Sequence, residues 1–332
     1  MSQQRALAHA RVRPTGLGCM NVTHGYSSFP SRDDAVGLFR AALDAGVDHF
    51  DTATLYGHGA SEELLGEALG NRRDEIFLAS KCGLRRTEEG QTVVDGEPAS
   101  IKRQAEASLR RLGTDVIDLY YLHRLDRRVP IEDSVGALAE LVDEGKIRSI
   151  GLSEVSVATL ERAEAVHHIA AVQNEYSLAT RNPELGMLDT CRDNGTTFVA
   201  FSPLSRAMLA GTLERPWELP AADIRSFMPR FTAENYPGNM LLVDALRPIA
   251  DGHGITLAQL ALAWVHAHGD HVVSIPGTAD RGHLLENSGA DDVVLDDAAV
   301  AACSEIVNQA TISGARYTDG QQSTIDSEDF PG

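Results

Sequence analysis

Apolar and polar positions follow two different periods along this chain. Short apolar runs rich in β-branched and aromatic residues cover 15–19, 47–51, 76–81, 116–123, 147–153, 170–174, 197–202 and 272–275. Runs of this length and composition predict strands. Between them lie longer stretches in which apolar residues recur at three- and four-residue spacing. Ile101, Ala105, Leu109 and Leu112 make one such face, and Val135, Leu138, Leu141 and Val142 another. That spacing predicts amphipathic helices. The predicted helices are 33–45, 61–69, one through 101–112, one from Pro130, 157–167, 183–193, 240–251, 257–268, 283–287 and 297–309. Glycines mark the stops at Gly46, Gly145 and Gly195, and Glu62 and Glu63 fall in a first turn, where acids suit the helix dipole.

Three stretches fit neither period. Residues 84–99 form a polar insertion that reads as a small hairpin or flap around Asp95-Gly96. Residues 203–238 are irregular, and the polar tail 311–332 reads as surface-bound or disordered. The segment before Gly16 has no regular hairpin pattern and leaves the floor of the fold undecided.

Eight strands, each followed by helix, imply a parallel sheet. Eight such units in 332 residues predict a single closed (β/α)8 TIM barrel spanning 1–332, with accessory C-terminal helices. No Gly-x-Gly-x-x-Gly follows any strand, so an open dinucleotide-binding sheet lacks its fingerprint.

Composition narrows the function classes. A formal net charge of −19 argues against nucleic acid and anionic membrane surfaces as partners. No run approaches the ~18 apolar residues of a membrane span, and the first residues lack the apolar stretch of a signal peptide. Cys19, Cys82, Cys191 and Cys303 are scattered, which argues against zinc or a disulfide framework. The expectation is a reduced, cytoplasmic protein acting on a small molecule.

In a barrel, chemistry belongs at the C-terminal ends of the strands. Those ends carry Cys19, Asp51, Lys81, His123, Ser153, Gln173 with Asn174, Phe201 with Ser202, and Ile275 with Pro276. The stretch 48–57 sets a carboxylate at a strand end, Asp51, and a phenol just beyond it, Tyr56. A phenol of ordinary pKa about 10 needs a neighbouring cation to work near neutrality. Lys81 ends the next strand and is expected to depress Tyr56, with Asp51 pairing Lys81. His123 ends the strand after that and could orient a substrate oxygen. Taken singly, His123 reads better as a core histidine and Asp51–Lys81 as a structural ion pair. Four such residues on neighbouring strand ends favour a proton-donor unit.

Asp51-Thr52-Ala53-Thr54-Leu55-Tyr56-Gly57, Ala79-Ser80-Lys81 and Tyr120-Tyr121-Leu122-His123-Arg124 together resemble the aldo-keto reductase family, bacterial and fungal branches. Gly151-Leu152-Ser153-Glu154, Val172-Gln173-Asn174-Glu175-Tyr176, Phe201-Ser202-Pro203-Leu204 and Ile275-Pro276-Gly277-Thr278 extend the likeness across about 16–308. The resemblance implies NAD(P)H-dependent reduction of an aldehyde or ketone, or the reverse oxidation of an alcohol or sugar. Asp51, Tyr56, Lys81 and His123 would be its catalytic residues. It further implies Phe201 stacked on a nicotinamide, Ser153 and Gln173 on its carboxamide, and Met20 and Asp51 near its ribose. Ser202, Pro203 and Leu204 would cover the pyrophosphate, with Gly277, Thr278, Arg281, His283, Glu286 and Asn287 toward the adenosine end. NADP is the expected cofactor, with NAD also usable. Only Arg281 is a full cation in 279–283, and Asp280 beside it could repel a 2′-phosphate or accept from a free 2′-hydroxyl.

Two rivals accompany that reading: a cofactor-binding regulatory or sensor subunit of the same fold with little turnover, and a metal-dependent barrel enzyme. His266, His268 and His271 invite a metal, but no Glu-x-x-His motif or cysteine partner supports one. His167 and His168 read as dipole-complementing residues at a helix end, and Trp264 as core. Tyr26, Phe29, Trp217 and Phe227 are candidate substrate-pocket liners, with Arg85 or Arg124 available to a polar substrate.

Overall fold

The computed structural model describes residues 4–87 and 90–330. Its strands are β1 (Arg5–Leu7), β2 (Ala10–Val12), β3 (Leu17–Gly18), β4 (His49–Asp51), β5 (Phe77–Cys82), β6 (Leu84–Arg86), β7 (Thr92–Val94), β8 (Leu119–Leu122), β9 (Ile150–Ser153), β10 (Ile169–Glu175), β11 (Thr197–Phe201) and β12 (Val272–Ile275). β3, β4, β5, β8, β9, β10, β11 and β12 form one parallel sheet in that spatial order. Its two edges meet. Gly16 N donates to Ser274 O (2.8 Å), Ser274 N to Pro14 O (2.8 Å), and Gly18 N to Pro276 O (3.2 Å). The eight-stranded barrel expected from the sequence is therefore present and closed.

Around it run α1 (Arg32–Asp44), α2 (Ala60–Leu69), α3 (Pro98–Leu112), α4 (Ile131–Asp143), α5 (Val157–Glu164), α6 (Met187–Asn194), α7 (Tyr236–Ala245), α8 (Arg247–His253), α9 (Leu257–His266), α10 (Arg281–Ser288), α11 (Asp297–Ile306) and α12 (Asp319–Gln322). The single helix predicted over 240–251 is two, α7 and α8. Pro248 has no N–H to give and sits in the first turn of α8, where that loss costs nothing.

The core has two compartments. A larger one lies between strands and helices, and a smaller one fills the barrel with Phe77, Ala79, Leu119, Tyr121, Ala171, Val199 and Val273. Gly151 is what admits Tyr121. A side chain there would come within 2.3 Å of the Tyr121 ring.

The N-terminal segment is more regular than its sequence suggests. β1 and β2 pair as an antiparallel hairpin that lays Leu7 and Val12, both buried, across the barrel floor. Arg5 fastens it by donating to Gly269 O and His266 O, each 2.9 Å. The insertion at 84–99 is a hairpin, β6 with β7; residues 88 and 89 lie outside the described part, as do the ends of the predicted 1–332 domain.

Candidate active site

The C-terminal ends of the barrel strands open into one elongated cavity of roughly 670 Å³. Asp51, Tyr56, His123, Ser153, Gln173, Phe201, Ser202, Pro203 and Leu204 face it. So do Met20, Gly277, Thr278, His283, Glu286 and Asn287. Lys81 lies behind that surface, fully buried. Arg281 is not among the cavity-lining residues; it occupies the exposed first turn of α10, directly after its cap Asp280.

Strand register brings the reacting set together. Asp51 on β4 stands opposite Ala79, so Lys81 extends one pleat further on β5, and His123 follows the end of β8. Lys81 Nζ is paired with Asp51 Oδ1 and also donates to Thr52 O at 3.0 Å. Gln173 Nε2 donates to the other oxygen, Asp51 Oδ2, at 2.8 Å. Gln173 thus also braces Asp51, a contact that sequence reading missed. Lys81 Nζ lies 5.2 Å from the centre of the Tyr56 ring. Across the cavity the Tyr56 and His123 rings meet edge to face at 6.0 Å, and His24 stacks on Tyr56 at 5.9 Å.

The charges follow from burial and these neighbours. Burial alone would pull Lys81 down, but Asp51 and Tyr56 outweigh it and hold the ammonium above its usual range. Burial pushes the Tyr56 phenol up and exceeds the opposing pull of Lys81. Lys81 thus pulls Tyr56 down, as expected, while burial, which the sequence could not weigh, pushes it up further. The phenol stays protonated at neutral pH, which is the form that can donate. Burial, then the cations Arg124 and Lys81, hold His123 well below the ordinary histidine range, so it is neutral. Its Nδ1 is buried with no hydrogen-bond partner among the described residues.

Away from this set the cavity extends as a trough toward α10. At its rim Gly18 and Gly277 leave no room for side chains. A Cβ on Gly18 would approach Ile275 O to 2.7 Å, and one on Gly277 would meet Asn21 Oδ1 at 2.2 Å. Along one wall Ser202, Ser205, Arg206 and Ala207 all adopt positive φ, between 46° and 75°. Such backbone costs energy in non-glycine residues and collects at ligand sites, where turned N–H groups can receive anionic oxygens. At the far end Asp280 caps α10, its Oδ1 accepting from His283 N at 2.9 Å.

Behind the trough lies a buried ionic cluster. Glu175 accepts from Nη1 and Nη2 of Arg206 at 3.0 Å each, and from Nε of Arg316 at 3.0 Å. Arg316 also pairs with Glu154. Burial would raise Glu175, but Arg206 and Arg316 overcome it and hold the carboxyl far below its usual range. Arg316 belongs to the polar tail, which is anchored rather than loose. Asp326 Oδ2 accepts from Ser156 N (3.1 Å), Ser156 Oγ (2.9 Å) and Thr159 Oγ1 (2.7 Å) at the start of α5. Tyr317 and Gln321 then line the cavity. Glu154, just past the end of β9, and Glu175, the last residue of β10, were a sequence signal for this cluster; Arg316 gave none.

Of the proposed substrate-pocket liners, Tyr26 and Arg124 face the cavity. The others do not. Phe29 and Phe227 are exposed, Trp217 packs on Tyr236 6.2 Å away, and Arg85 is paired with Asp95. The three histidines near α9 bond separately: His266 with Ser274 Oγ (2.9 Å), His268 to Trp264 O (2.8 Å) and His271 to Leu188 O (3.0 Å). Among the described residues no three His, Cys, Asp or Glu side chains converge as metal ligands. Trp264 is fully buried, as its spacing predicted.

This arrangement has relatives. Residues 14–308 match the family model described as the aldo/keto reductase family. The chain belongs to that family. An aldo-keto reductase of Schizosaccharomyces pombe, designated yakc [NADP(+)], is 42% identical over 328 residues, covering 97% of this chain and 96% of the relative. The aldo-keto reductase str7 of Strobilurus tenacellus is 41% identical, covering 98% of both. Among solved aldo/keto reductase structures, a glycerol dehydrogenase from Gluconobacter oxydans superposes with a TM-score of 0.83 at 29% identity, over 92% of this chain and 95% of that one. A Klebsiella pneumoniae aldo/keto reductase solved with NADP and acetate gives 0.73 at 29% identity, over 96% and 99%.

Proposed function

We propose that this aldo/keto reductase reduces an aldehyde or ketone to the alcohol with a nicotinamide cofactor, NADP foremost, and that Tyr56 delivers the proton. The observation that carries the reading is the buried Lys81–Asp51 pair set behind Tyr56, with neutral His123 across the cavity. The relatives named for or solved with NADP support the cofactor.

The trough fits such a cofactor. The left-handed backbone at Ser202, Arg206 and Ala207 suits a pyrophosphate. Ser153 and Phe201 would hold the nicotinamide end, Ser202 and Leu204 the pyrophosphate, and Thr278, Glu286 and Asn287 the adenosine end. When bound, the cofactor supplies the hydride. The chain's own residues do the rest. His123 orients the carbonyl oxygen by a hydrogen bond. Tyr56 gives its proton to that oxygen, and the Lys81 ammonium stabilises the phenolate left behind. Asp51 and Gln173 keep Lys81 in place.

Tyr56→Phe tests this. General acid catalysis is worth typically about 10²–10⁴-fold, so turnover of every carbonyl substrate should fall by at least that range. NADPH binding, followed by fluorescence titration, should change little. Near-normal turnover in the variant rejects the assignment.

A further inference from the structure

We propose that Arg124 reads a carboxylate on the substrate, and that the compounds this site favours are oxo acids whose carboxylate adjoins the carbonyl. This rests on the reductase reading above. The cavity-lining arginines are otherwise spoken for. Arg206 is held by Glu175, and Arg225 by Asp223 at 2.7 and 2.8 Å. Arg124 has no carboxylate within salt-bridge distance among the described residues. Its Nη1 donates to His123 O at 2.7 Å and more weakly to Ser153 Oγ at 3.4 Å. Nε and Nη2 make no hydrogen bond among the described residues, nor are they sealed from solvent. One edge of a planar donor fork is therefore free at the cavity wall, and that edge matches a carboxylate bidentately.

The bond from Arg124 to His123 O sets the guanidinium beside the carbonyl site and points to which carboxylate it would read. Arg124 directly follows His123, which we assign to the carbonyl oxygen, and its charge acts on both His123 and Tyr56. A carboxylate on the carbon next to the carbonyl suits that adjacency, as in glyoxylate or pyruvate. In a chain of net charge −19, a cation left uncompensated beside the reacting groups gives an anionic substrate a local reason to bind. The reaction balances. The carbonyl carbon gains a hydride from NAD(P)H, the oxygen gains the Tyr56 proton, the phenolate is reprotonated from solvent, and one 2-hydroxy acid forms per NAD(P)+.

The test uses the full chain with NADPH, glyoxylate and pyruvate, and a neutral aldehyde of similar size. Arg124→Gln should lower the ratio of kcat/KM for the oxo acids to that for the neutral aldehyde by about 10- to 100-fold, the range of a lost charge-assisted hydrogen bond. Arg124→Lys, which keeps the charge but not the fork, should fall between. Oxamate, an unreactive oxo-acid mimic, should bind the wild type, measured by calorimetry, and lose affinity in R124Q by a similar factor. An unchanged ratio, or oxamate binding indifferent to R124Q, overturns the proposal. So does a matching loss of NADPH affinity, which would place Arg124 on the cofactor. If the wild type reduces neutral aldehydes but not oxo acids, this inference falls and the reductase reading stands. If Tyr56→Phe retains turnover, the reductase reading itself falls.

Discussion

Replacing Arg316 by Met should destabilise the protein by about 3–5 kcal/mol, the usual cost of removing one partner of a buried ion pair. The size follows from what each carboxylate keeps. Glu175 retains both bonds to Arg206 and is still compensated. Glu154 retains only the Glu175 N–H at 2.8 Å and Ser327 Oγ at 3.1 Å. It is left as a buried carboxylate with hydrogen bonds and no cation. The variant can limit that cost by releasing the tail, which gives up the bonds of Asp326 to Ser156 and Thr159 at the start of α5 and the burial of Tyr317 and Ile325. Urea denaturation reads the first outcome, and faster proteolysis within 311–330 reads the second. The pH dependence has a definite sign. In the wild type Glu175 is held far below its ordinary range, so its contribution is complete above the unfolded-state value of about 4.3 and lost as pH falls through the folded one. Adding Glu154→Gln should recover part of the loss. A loss below about 1 kcal/mol without added protease sensitivity, typical of an exposed pair, would refute the reasoning.

Tyr56→Phe has been described above. Because His123 is held well below the histidine range, kcat/KM should show no inflection near the ordinary value of about 6.5; a step there that disappears in His123→Asn would contradict the neutral assignment. Asp280 both caps α10 and places a carboxylate at the end of the trough proposed to take the adenosine. Asp280→Asn keeps a capping side chain and removes the charge, so the NADPH-to-NADH ratio of kcat/KM should rise; an unchanged ratio would mean that the carboxylate serves the helix alone.

Much of this was legible in the sequence because two periodicities never conflicted. Strand runs and helical faces alternated cleanly, and the strand ends carried Asp51, Lys81, His123 and Gln173. What escaped was whatever depends on contacts far apart in the chain. The floor hairpin hides because β1 and β2 are three residues each, too short to show a period. Arg316 meets Glu154 across 162 positions, and nothing local distinguishes it from a surface arginine. Phe29, Trp217 and Phe227 were proposed as liners because large aromatics in loops near a barrel mouth often are, but side-chain direction within an irregular loop has no sequence period to read. Tyr56 shows a third limit. Its neighbours could be named from the motif, but the balance between burial and Lys81 could not be weighed without distances.

The anchored tail bears on how this pocket can drift over generations. Arg316 and Tyr317 are consecutive, one locked into the ionic cluster and the other facing the cavity. An insertion or deletion between the end of α11 and Arg316 moves both, and is screened out through lost stability before any change in selectivity is tested. Single substitutions at Tyr317 or Gln321 leave the anchor in register. Variation in substrate choice through this wall should therefore accumulate as exchanges of side chain rather than changes of loop length.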